Sequence, residues 1–251
     1  MNKHYPYSNY KNYRESKNPY YEKFKNFSSM QDKPTGLLDE NTEQYRGSWR
    51  KFFGKPENSF LQLELGAYHG ESALHLARAN PKDVFLGVEW KFKQCFKAAK
   101  KTKDRALDNL CFLRANMSRI PWVVKPGEVD RIWILFPDPW SKASHQKHRV
   151  LHPGFFRILG ALLNEGKELM IKTDHAEYAE YIQKSIAEAA CFSPMSQELA
   201  TKIWAELPPT PFEKIFMRQG AKIHAFSYLR NQNLVVPPME VQEILPVSSI
   251  V

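Results

Sequence analysis

One short stretch of the chain combines a carboxylate, an aromatic ring and several cations. Asp138 lies at the centre of the sequence Phe-Pro-Asp-Pro-Trp at residues 136–140, and Lys142, Lys147 and Arg149 follow it closely. The two prolines restrict the backbone on either side of the carboxylate, which is therefore held in position. A fixed carboxylate can orient a ligand by accepting hydrogen bonds, and the cations can hold phosphate groups. We therefore predict a ligand site here.

The residues that precede this stretch predict a buried strand. Residues 129–136 are mostly apolar and rich in β-branched and aromatic side chains, which is typical of a strand in the interior of a sheet. Asp138 would then lie just beyond the carboxyl end of that strand. In open α/β sheets, ligands bind at this edge.

Strand and helix patterns alternate through the middle of the chain. Strands are predicted at residues 60–65, 84–89, 110–114, 129–136 and 167–173, and helices at 71–79, from 92, at 155–164 and from 178. This alternation predicts the α/β class, with a doubly wound, mostly parallel sheet and helices on both faces, in a Rossmann-like arrangement.

Length and composition predict one substantial domain with a tail at each end. The chain has 251 residues, of which 43% are hydrophobic, enough for a single large core. Residues 1–44 are rich in Tyr, Lys and Asn and are predicted to have little fixed structure, with a solvated tail and a base-stacking segment as alternatives. The domain is expected at residues 45–230, and the proline-containing residues 231–251 are expected to form a dispensable tail.

Charge and cysteine content restrict the partners. The net charge of +9 and the pI near 9.3 favour a polyanionic partner, since Lys and Arg displace counterions from phosphates. The lysines of the helix that begins at residue 92 fit either phosphate binding or simple solvation. The sequence has neither a membrane-length apolar run nor an apolar signal core, which predicts a soluble, cytoplasmic protein. A monomer and a homodimer are both compatible with the sequence. Three isolated cysteines predict core thiols rather than a metal site or disulfides.

Acidic residues at two further strand ends predict a cofactor pocket. Glu64, Gly66 and Gly70 lie where the first predicted strand gives way to a helix, a place where nucleotide-like cofactors meet backbone amides. Glu89 ends the next strand and lies 19 residues after Gly70. In dinucleotide-binding folds, an acidic residue about 20 residues after the glycine loop accepts hydrogen bonds from ribose hydroxyls. The loop has no Gly-Lys-Ser/Thr sequence, so a phosphate-binding P-loop is not expected. An acidic pocket of this kind suits S-adenosylmethionine, which has an adenosine but no phosphates.

Taken together, the chain resembles the bacterial tRNA (guanine-N7)-methyltransferases over about residues 45–230. The matching motifs, in order, are Glu64-x-Gly66-x-x-x-Gly70, Phe85-Leu86-Gly87-Val88-Glu89, Asn116, the Pro-Asp-Pro-Trp stretch with its basic residues, Thr173-Asp174-x-x-x-Tyr178 and Thr210-x-Phe212-Glu213. The Pro-Asp-Pro-Trp stretch is the most specific of them. The resemblance implies methyl transfer from S-adenosylmethionine to N7 of a guanine in the variable loop of tRNA.

The resemblance also assigns roles to individual residues. It implies that Glu64, Gly66, Glu89 and Asn116 line the cofactor pocket. It implies that Asp138, Lys142, Asp174, Thr210 and Glu213 face the guanine nucleotide. Asp138 is the candidate for the catalytic residue, and Lys147 and Arg149 are candidates for phosphate contacts.

The chemistry of N7 agrees with these assignments. N7 carries a lone pair and no proton, so its methylation needs no strong general base, and positioning should dominate. The purine gains positive charge on methylation, which nearby carboxylates stabilise. Two site residues have structural alternatives: Asp174 as the N-cap of the next helix and Thr210 as the start of a turn.

One departure from the family keeps alternative functions open. Family members usually have Gly-x-Gly-x-Gly after the first strand, but Tyr68 stands at the middle glycine. A tyrosine there predicts either a reshaped loop or an obstructed pocket. The first alternative is therefore a tRNA-binding protein with weakened or lost catalysis. The second is a small-purine methyltransferase, against which the basic residues after Asp138 argue.

Overall fold

A computed structural model of the chain describes residues 18–141, 144 and 148–232. The strands are β1 (Gly36–Leu38), β2 (Leu61–Leu65), β3 (Val84–Val88), β4 (Leu110–Arg114), β5 (Val129–Leu135), β6 (Leu163–Thr173), β7 (Phe192–Pro194) and β8 (His224–Arg230). The helices are α1 (Tyr21–Ser29), α2 (Trp49–Phe52), α3 (Glu71–Ala79), α4 (Phe92–Asp104), α5 (Ile120–Val123), α6 (Pro153–Leu162), α7 (Ala176–Ala189), α8 (Gln197–Ala205) and α9 (Pro211–Arg218).

The strands form one mostly parallel sheet. Its order is β1-β4-β3-β2-β5-β6-β8-β7, and only β8 runs antiparallel to its neighbours, β6 and β7. The predicted doubly wound class is therefore confirmed. The chain leaves β2 first toward β3 and later returns to β5 on the opposite side, so the order reverses between β2 and β5. Such a reversal opens a crevice at the carboxyl ends of the two strands.

Both faces of the sheet are buried. Alternate residues of β2 and β3 (Leu61, Leu63, Leu65, Val84, Leu86 and Val88) belong to one apolar cluster, which includes Tyr178 and Ile182 of α7. Phe85 and Phe112 contribute to a second cluster with Leu74 of α3 and Cys95 of α4. Side chains alternate across a strand, so the two clusters lie on opposite faces. All three cysteines are buried, as predicted.

Part of the predicted N-terminal tail belongs to the domain, so the prediction of a flexible segment up to residue 44 is wrong for this part. α1 packs on α4 through Tyr20, Phe24 and Phe27, whose rings lie 5.9, 5.9 and 5.5 Å from that of Phe96. β1 then pairs with β4. The spacing of the three aromatic residues is helical, a signal that was hidden among the neighbouring lysines.

The same segment also braces a loop at the carboxyl edge of the sheet. Arg119 lies in the turn that follows Asn116, and its guanidinium forms buried ion pairs with Asp39 (2.7 Å) and Glu43 (2.6 Å).

Residues 1–17 and 233–251 lie outside the described residues, and so do the predictions made for them. No helix in the described part of the chain is both long and apolar enough to cross a membrane.

Candidate functional site

Glu64 lies at the carboxyl end of β2 and connects it to α3. The Ala73 amide donates to Oε2 of Glu64 at 3.0 Å, within the first turn of α3. Burial raises the pKa of Glu64 to about 8, because a carboxylate loses hydration in the interior. The side chain therefore holds the start of α3 against the strand.

Glu89 organises the loop between β2 and α3. Its Oε2 accepts from the Tyr68 amide (2.8 Å), and its Oε1 accepts from the Lys91 amide (2.7 Å). Burial raises its pKa, and the negative charge of Asp138 adds a smaller upward effect. Each carboxylate oxygen has a second lone pair, so Glu89 retains acceptor capacity toward a ligand in the crevice.

The loop keeps a left-handed backbone at three alternate positions. Gly66, Tyr68 and Gly70 have φ values of +81°, +49° and +73°. Tyr68 thus adopts a conformation that glycine adopts without strain. Its ring stacks on His69 with centroids 4.0 Å apart and meets Phe212 of α9 edge-on at 5.0 Å. Of the two consequences predicted for this tyrosine, the structure does not show a reshaped loop, because the backbone remains glycine-like.

Asn116 lies in the turn that follows β4. Its Oδ1 accepts from the Ser118 amide at 2.9 Å and caps a short turn at Met117–Arg119. A Cβ placed on Gly66 would lie 3.6 Å from Cε of Met117, so this turn faces the glycine loop. Glu64, Gly66, Glu89 and Asn116, which were predicted from separate parts of the sequence, therefore lie on one edge of the sheet.

Asp138 is presented by a strained loop. Phe136 and Trp140, on either side of it, both have positive φ values, +54° and +44°. The Phe136 amide donates to the Lys172 carbonyl of β6 at 2.8 Å, which fixes the start of the loop. Asp138 is exposed, and no other described residue forms a hydrogen bond or ion pair with its carboxylate. Its charge raises the pKa of both Glu89 and Tyr178, so it lies near the end of β3 and near α7.

The side chain of Arg149 binds the loop that carries Asp138. Only 4% of the side chain is exposed. Nε donates to the Pro139 carbonyl (2.9 Å), and Nη2 contacts Glu177 (2.8 Å). The guanidinium also lies over the rings of Tyr178 and Tyr181, at 5.2 and 5.0 Å. Phosphate contact by Arg149 stays a prediction, and the contacts in the structure are structural ones.

Thr210 and Glu213 begin α9. The Thr210 hydroxyl accepts from the Glu213 amide at 3.0 Å, so Thr210 is the N-cap of this helix. Oε1 of Glu213 accepts from Lys172 Nζ at 2.7 Å, and both side chains are buried. Oε2 of Glu213 has no hydrogen-bond partner among the described residues. This oxygen is therefore an unsatisfied acceptor in the interior, at the start of α9.

Asp174 follows β6 on the same edge and is partly exposed. The N-cap of α7 is His175, whose Nδ1 accepts from the Tyr178 amide. The alternative role of Asp174 as that N-cap is therefore wrong. Within the described part of the chain, its carboxylate forms no hydrogen bond or ion pair. Lys142 and Lys147 lie outside the described residues, so their predicted roles stay predictions.

Comparison with known proteins assigns the chain to a family. A family described as "Putative methyltransferase" matches residues 58–226, more than half of the chain. The chain belongs to this methyltransferase family. The matched region of the methyltransferase runs from just before β2 into β8 and includes the strand-end residues described above.

Several curated relatives carry a more specific name, tRNA (guanine-N(7)-)-methyltransferase. The relative from Christiangramia forsetii is 34% identical over 137 residues, which is 55% of this chain and 61% of that protein. The relative from Bacillus cytotoxicus is 29% identical over 185 residues, 73% of this chain and 84% of that protein. The relative from Brevibacillus brevis is 28% identical and covers 78% of this chain and 91% of that protein.

Solved structures share the fold of the methyltransferase. A 16S rRNA methyltransferase, KamB, superposes with a TM-score of 0.52 at 17% identity and covers 77% of this chain and 94% of that chain. An antibiotic-related methyltransferase gives a TM-score of 0.51 at 14% identity, over 78% of this chain and 96% of that chain. At such low identity these likenesses concern the fold alone.

Sequence reasoning missed the role of two residues near the site. Lys172 lies on the predicted strand, but its pairing with Glu213 depends on a contact between residues far apart in sequence. The ring of Phe216 lies 5.5 Å from that of Phe136 and 6.3 Å from that of Phe212. The spacing of Phe212 and Phe216 by one helical turn is the local signal that indicates a shared face.

Proposed function

We propose that this protein transfers a methyl group from S-adenosylmethionine to N7 of a guanine in tRNA, in the variable loop as the family resemblance implies. The observation that carries the proposal is the Asp138 carboxylate. It stands on a strained loop beside the cofactor edge, and no described residue pairs with it. A residue held in this way at a ligand-binding edge is typical of a functional site. The names of the relatives support the choice of reaction.

The residues of the crevice fit the cofactor. Glu89 retains lone pairs for ribose hydroxyls, and Gly66 leaves space beside Met117 because it has no Cβ. When bound, S-adenosylmethionine supplies an electrophilic methyl group on a sulfonium. We assign its binding to Glu64, Gly66, Glu89 and Asn116. Tyr68 is compatible with this role, because its amide supports Glu89 as the amide of a glycine would.

The acidic residues on the other side of the crevice suit guanine. A carboxylate accepts from guanine N1–H and from the exocyclic amine, and we assign these contacts to three acids: Asp138, Asp174 and Glu213, whose buried Oε2 has no hydrogen-bond partner among the described residues. These contacts orient the base so that the lone pair of N7 faces the methyl group, and the negative charge stabilises the positive charge that develops on the purine. We assign the main orienting role to Asp138. Thr210 contributes by holding Glu213 at the start of α9.

Basic residues of the protein are assigned to the RNA. A net charge of +9 supports binding to a polyanion. We assign Lys142 and Lys147 to the guanine nucleotide and its phosphates, and we keep Arg149 as the support of the Asp138 loop. A tRNA substrate also implies a location in the cytoplasm. A monomer and a homodimer are both compatible with this function.

The experiment is methyl transfer from labelled S-adenosylmethionine to unmodified tRNA, followed by nucleoside analysis. We expect 7-methylguanosine. Asp138→Ala should lower kcat/KM by about 100-fold or more, the loss typical of one well-placed transition-state contact, while the melting temperature stays within a few degrees. The control is Glu165→Ala, which removes another exposed carboxylate from the early part of β6. Absence of 7-methylguanosine with the wild-type protein would refute the proposed reaction, and near-normal turnover of Asp138→Ala would refute the role of that residue.

A further inference from the structure

Most of the exposed large apolar side chains in the described part of the chain belong to the glycine loop, the Asp138 loop and α9. They are Tyr68 (37% exposed), Trp140 (38%), Phe212 (39%), Ile215 (46%) and Met217 (57%), and the other such side chain in the described part of the chain is Met30. Isolated exposed apolar residues are common, but a group of them at a ligand site marks an interaction surface. Three of the five are aromatic.

Backbone strain is concentrated at the same place. Five non-glycine residues in the described ranges have positive φ, and Tyr68, Phe136 and Trp140 are three of them. A bulky residue in this conformation is disfavoured and persists only where the surroundings enforce it. At Tyr68, the enforcing contact is the hydrogen bond from its amide to Glu89. The strained backbone fixes the direction of the tyrosine ring.

The Tyr68 ring points toward α9. The Tyr68 ring meets Phe212 at 5.0 Å, Phe212 stacks with Phe216 at 6.3 Å, and Phe216 lies 5.5 Å from Phe136. Phe136 begins the loop that carries Asp138. A continuous line of rings thus runs from the glycine loop, across α9, to the substrate loop.

Lysines of α4 lie near the His69 side of Tyr68, where Lys101 is paired with Glu71. The charges of Lys101, Lys97 and Lys93 contribute, after burial, to lowering the pKa of His69, whose ring stacks under Tyr68. Lys93 and Lys97 are exposed on α4. An occupant of this surface therefore meets aromatic rings and then ammonium groups. An unpaired RNA nucleotide has both features, a base that stacks and a phosphate that pairs with lysine.

We propose that Tyr68 and Phe212 form the stacking surface for the target guanine, and that Tyr68 is therefore a substrate-binding residue rather than a damaged cofactor-loop residue. This inference rests on the proposed function and names a further part of the same site. The base lies with one face toward the ring pair and with its edge toward Asp138 and Glu213. The lysines of α4 contact the backbone of the same RNA strand.

The test separates RNA binding from cofactor binding in single-residue variants. Tyr68→Gly and Tyr68→Asn both remove the ring, and both residues tolerate the left-handed backbone. Loss of one stacked base should raise KM for tRNA by about 5- to 150-fold. The dissociation constant of S-adenosylmethionine, measured by calorimetry, should stay within about threefold. Tyr68→Phe should retain normal KM because its ring still stacks.

Partner and control variants complete the design. Phe212→Ala should raise KM as the Tyr68 variants do, and the double variant should show less than the product of the two effects, because the rings act as a pair. The control is Met30→Ala, which truncates an exposed apolar residue at the end of α1 and should leave KM unchanged. Weaker S-adenosylmethionine binding with normal KM, or no change in either quantity, would overturn the inference.

A binding measurement keeps the inference testable without turnover. The target guanine of the tRNA is replaced by 2-aminopurine, whose fluorescence falls when it stacks on an aromatic ring. Wild-type protein should quench this fluorescence, and Tyr68→Asn should not. If the wild-type protein binds and quenches but forms no 7-methylguanosine, the proposed reaction fails while the stacking surface stands. Equal quenching by both proteins would refute the stacking surface.

Discussion

Replacement of Arg149 distinguishes a structural cation from a phosphate contact. The sequence predicted that this residue grips the RNA backbone, whereas its guanidinium is buried and donates to the Pro139 carbonyl at 2.9 Å. Arg149→Met retains the apolar stem and removes the charge and the donors. We expect the Asp138 loop to lose its support, with consequences for both stability and turnover.

The magnitude follows from the lost contacts. A net hydrogen bond from a charged group is worth about 1.5–3 kcal/mol. The rings of Tyr178 and Tyr181 add a cation–π interaction of about 0.5–1 kcal/mol. The Glu177 ion pair adds little, because that carboxylate is solvated. Arg149→Met should therefore lower the free energy of unfolding by about 2–4 kcal/mol, which corresponds to a fall of roughly 5–15 °C in Tm.

The assay combines thermal unfolding, turnover and the salt dependence of tRNA binding. We expect a lower Tm, a lower kcat/KM and an unchanged slope of log affinity against log salt. Arg218→Met is the matched control, since Arg218 is exposed at the end of α9 and should leave Tm unchanged. A phosphate contact predicts the opposite for Arg149→Met: normal stability with a salt slope reduced by about 1. That result would refute the structural role.

Two further predictions concern buried carboxylates. Burial raises the pKa of Glu64 from 4.5 to about 8, so its contribution to stability is complete below pH 4.5 and is lost as the pH rises through 8. The free energy of unfolding of Glu64→Gln, relative to that of the wild type, should be higher at pH 9 than at pH 5 by about a few kcal/mol. The same difference between the two proteins at both pH values would contradict the raised pKa. Glu213→Ala leaves the Lys172 ammonium buried without its partner and should cost about 3–5 kcal/mol in urea denaturation, whereas Lys172→Met combined with Glu213→Met should cost less. A double variant as unstable as Glu213→Ala would show that the ion pair is not the cause.

The sequence by itself determined the sheet and the edge at which the site lies. Apolar residues that alternate along a strand, or that repeat with a helical period, indicate which side of the element is buried. β4 and α3 were therefore predicted at their observed bounds. Parallel strands end on a common edge, and Glu64, Glu89 and Asp138 therefore meet although they are distant in the chain. Their positions required no knowledge of side-chain contacts.

Only the tertiary structure decided which charged groups face a ligand and which face the protein. The pairing of Lys172 with Glu213 and the burial of Arg149 under Pro139 depend on how α9 and α7 pack on the sheet. No local pattern encodes such packing, because it joins elements that are separated in sequence. The same holds for Tyr68, whose direction is set by Glu89 on the neighbouring strand. Its sequence position indicates a missing glycine, and its tertiary contacts indicate an aromatic surface next to the loop that carries Asp138.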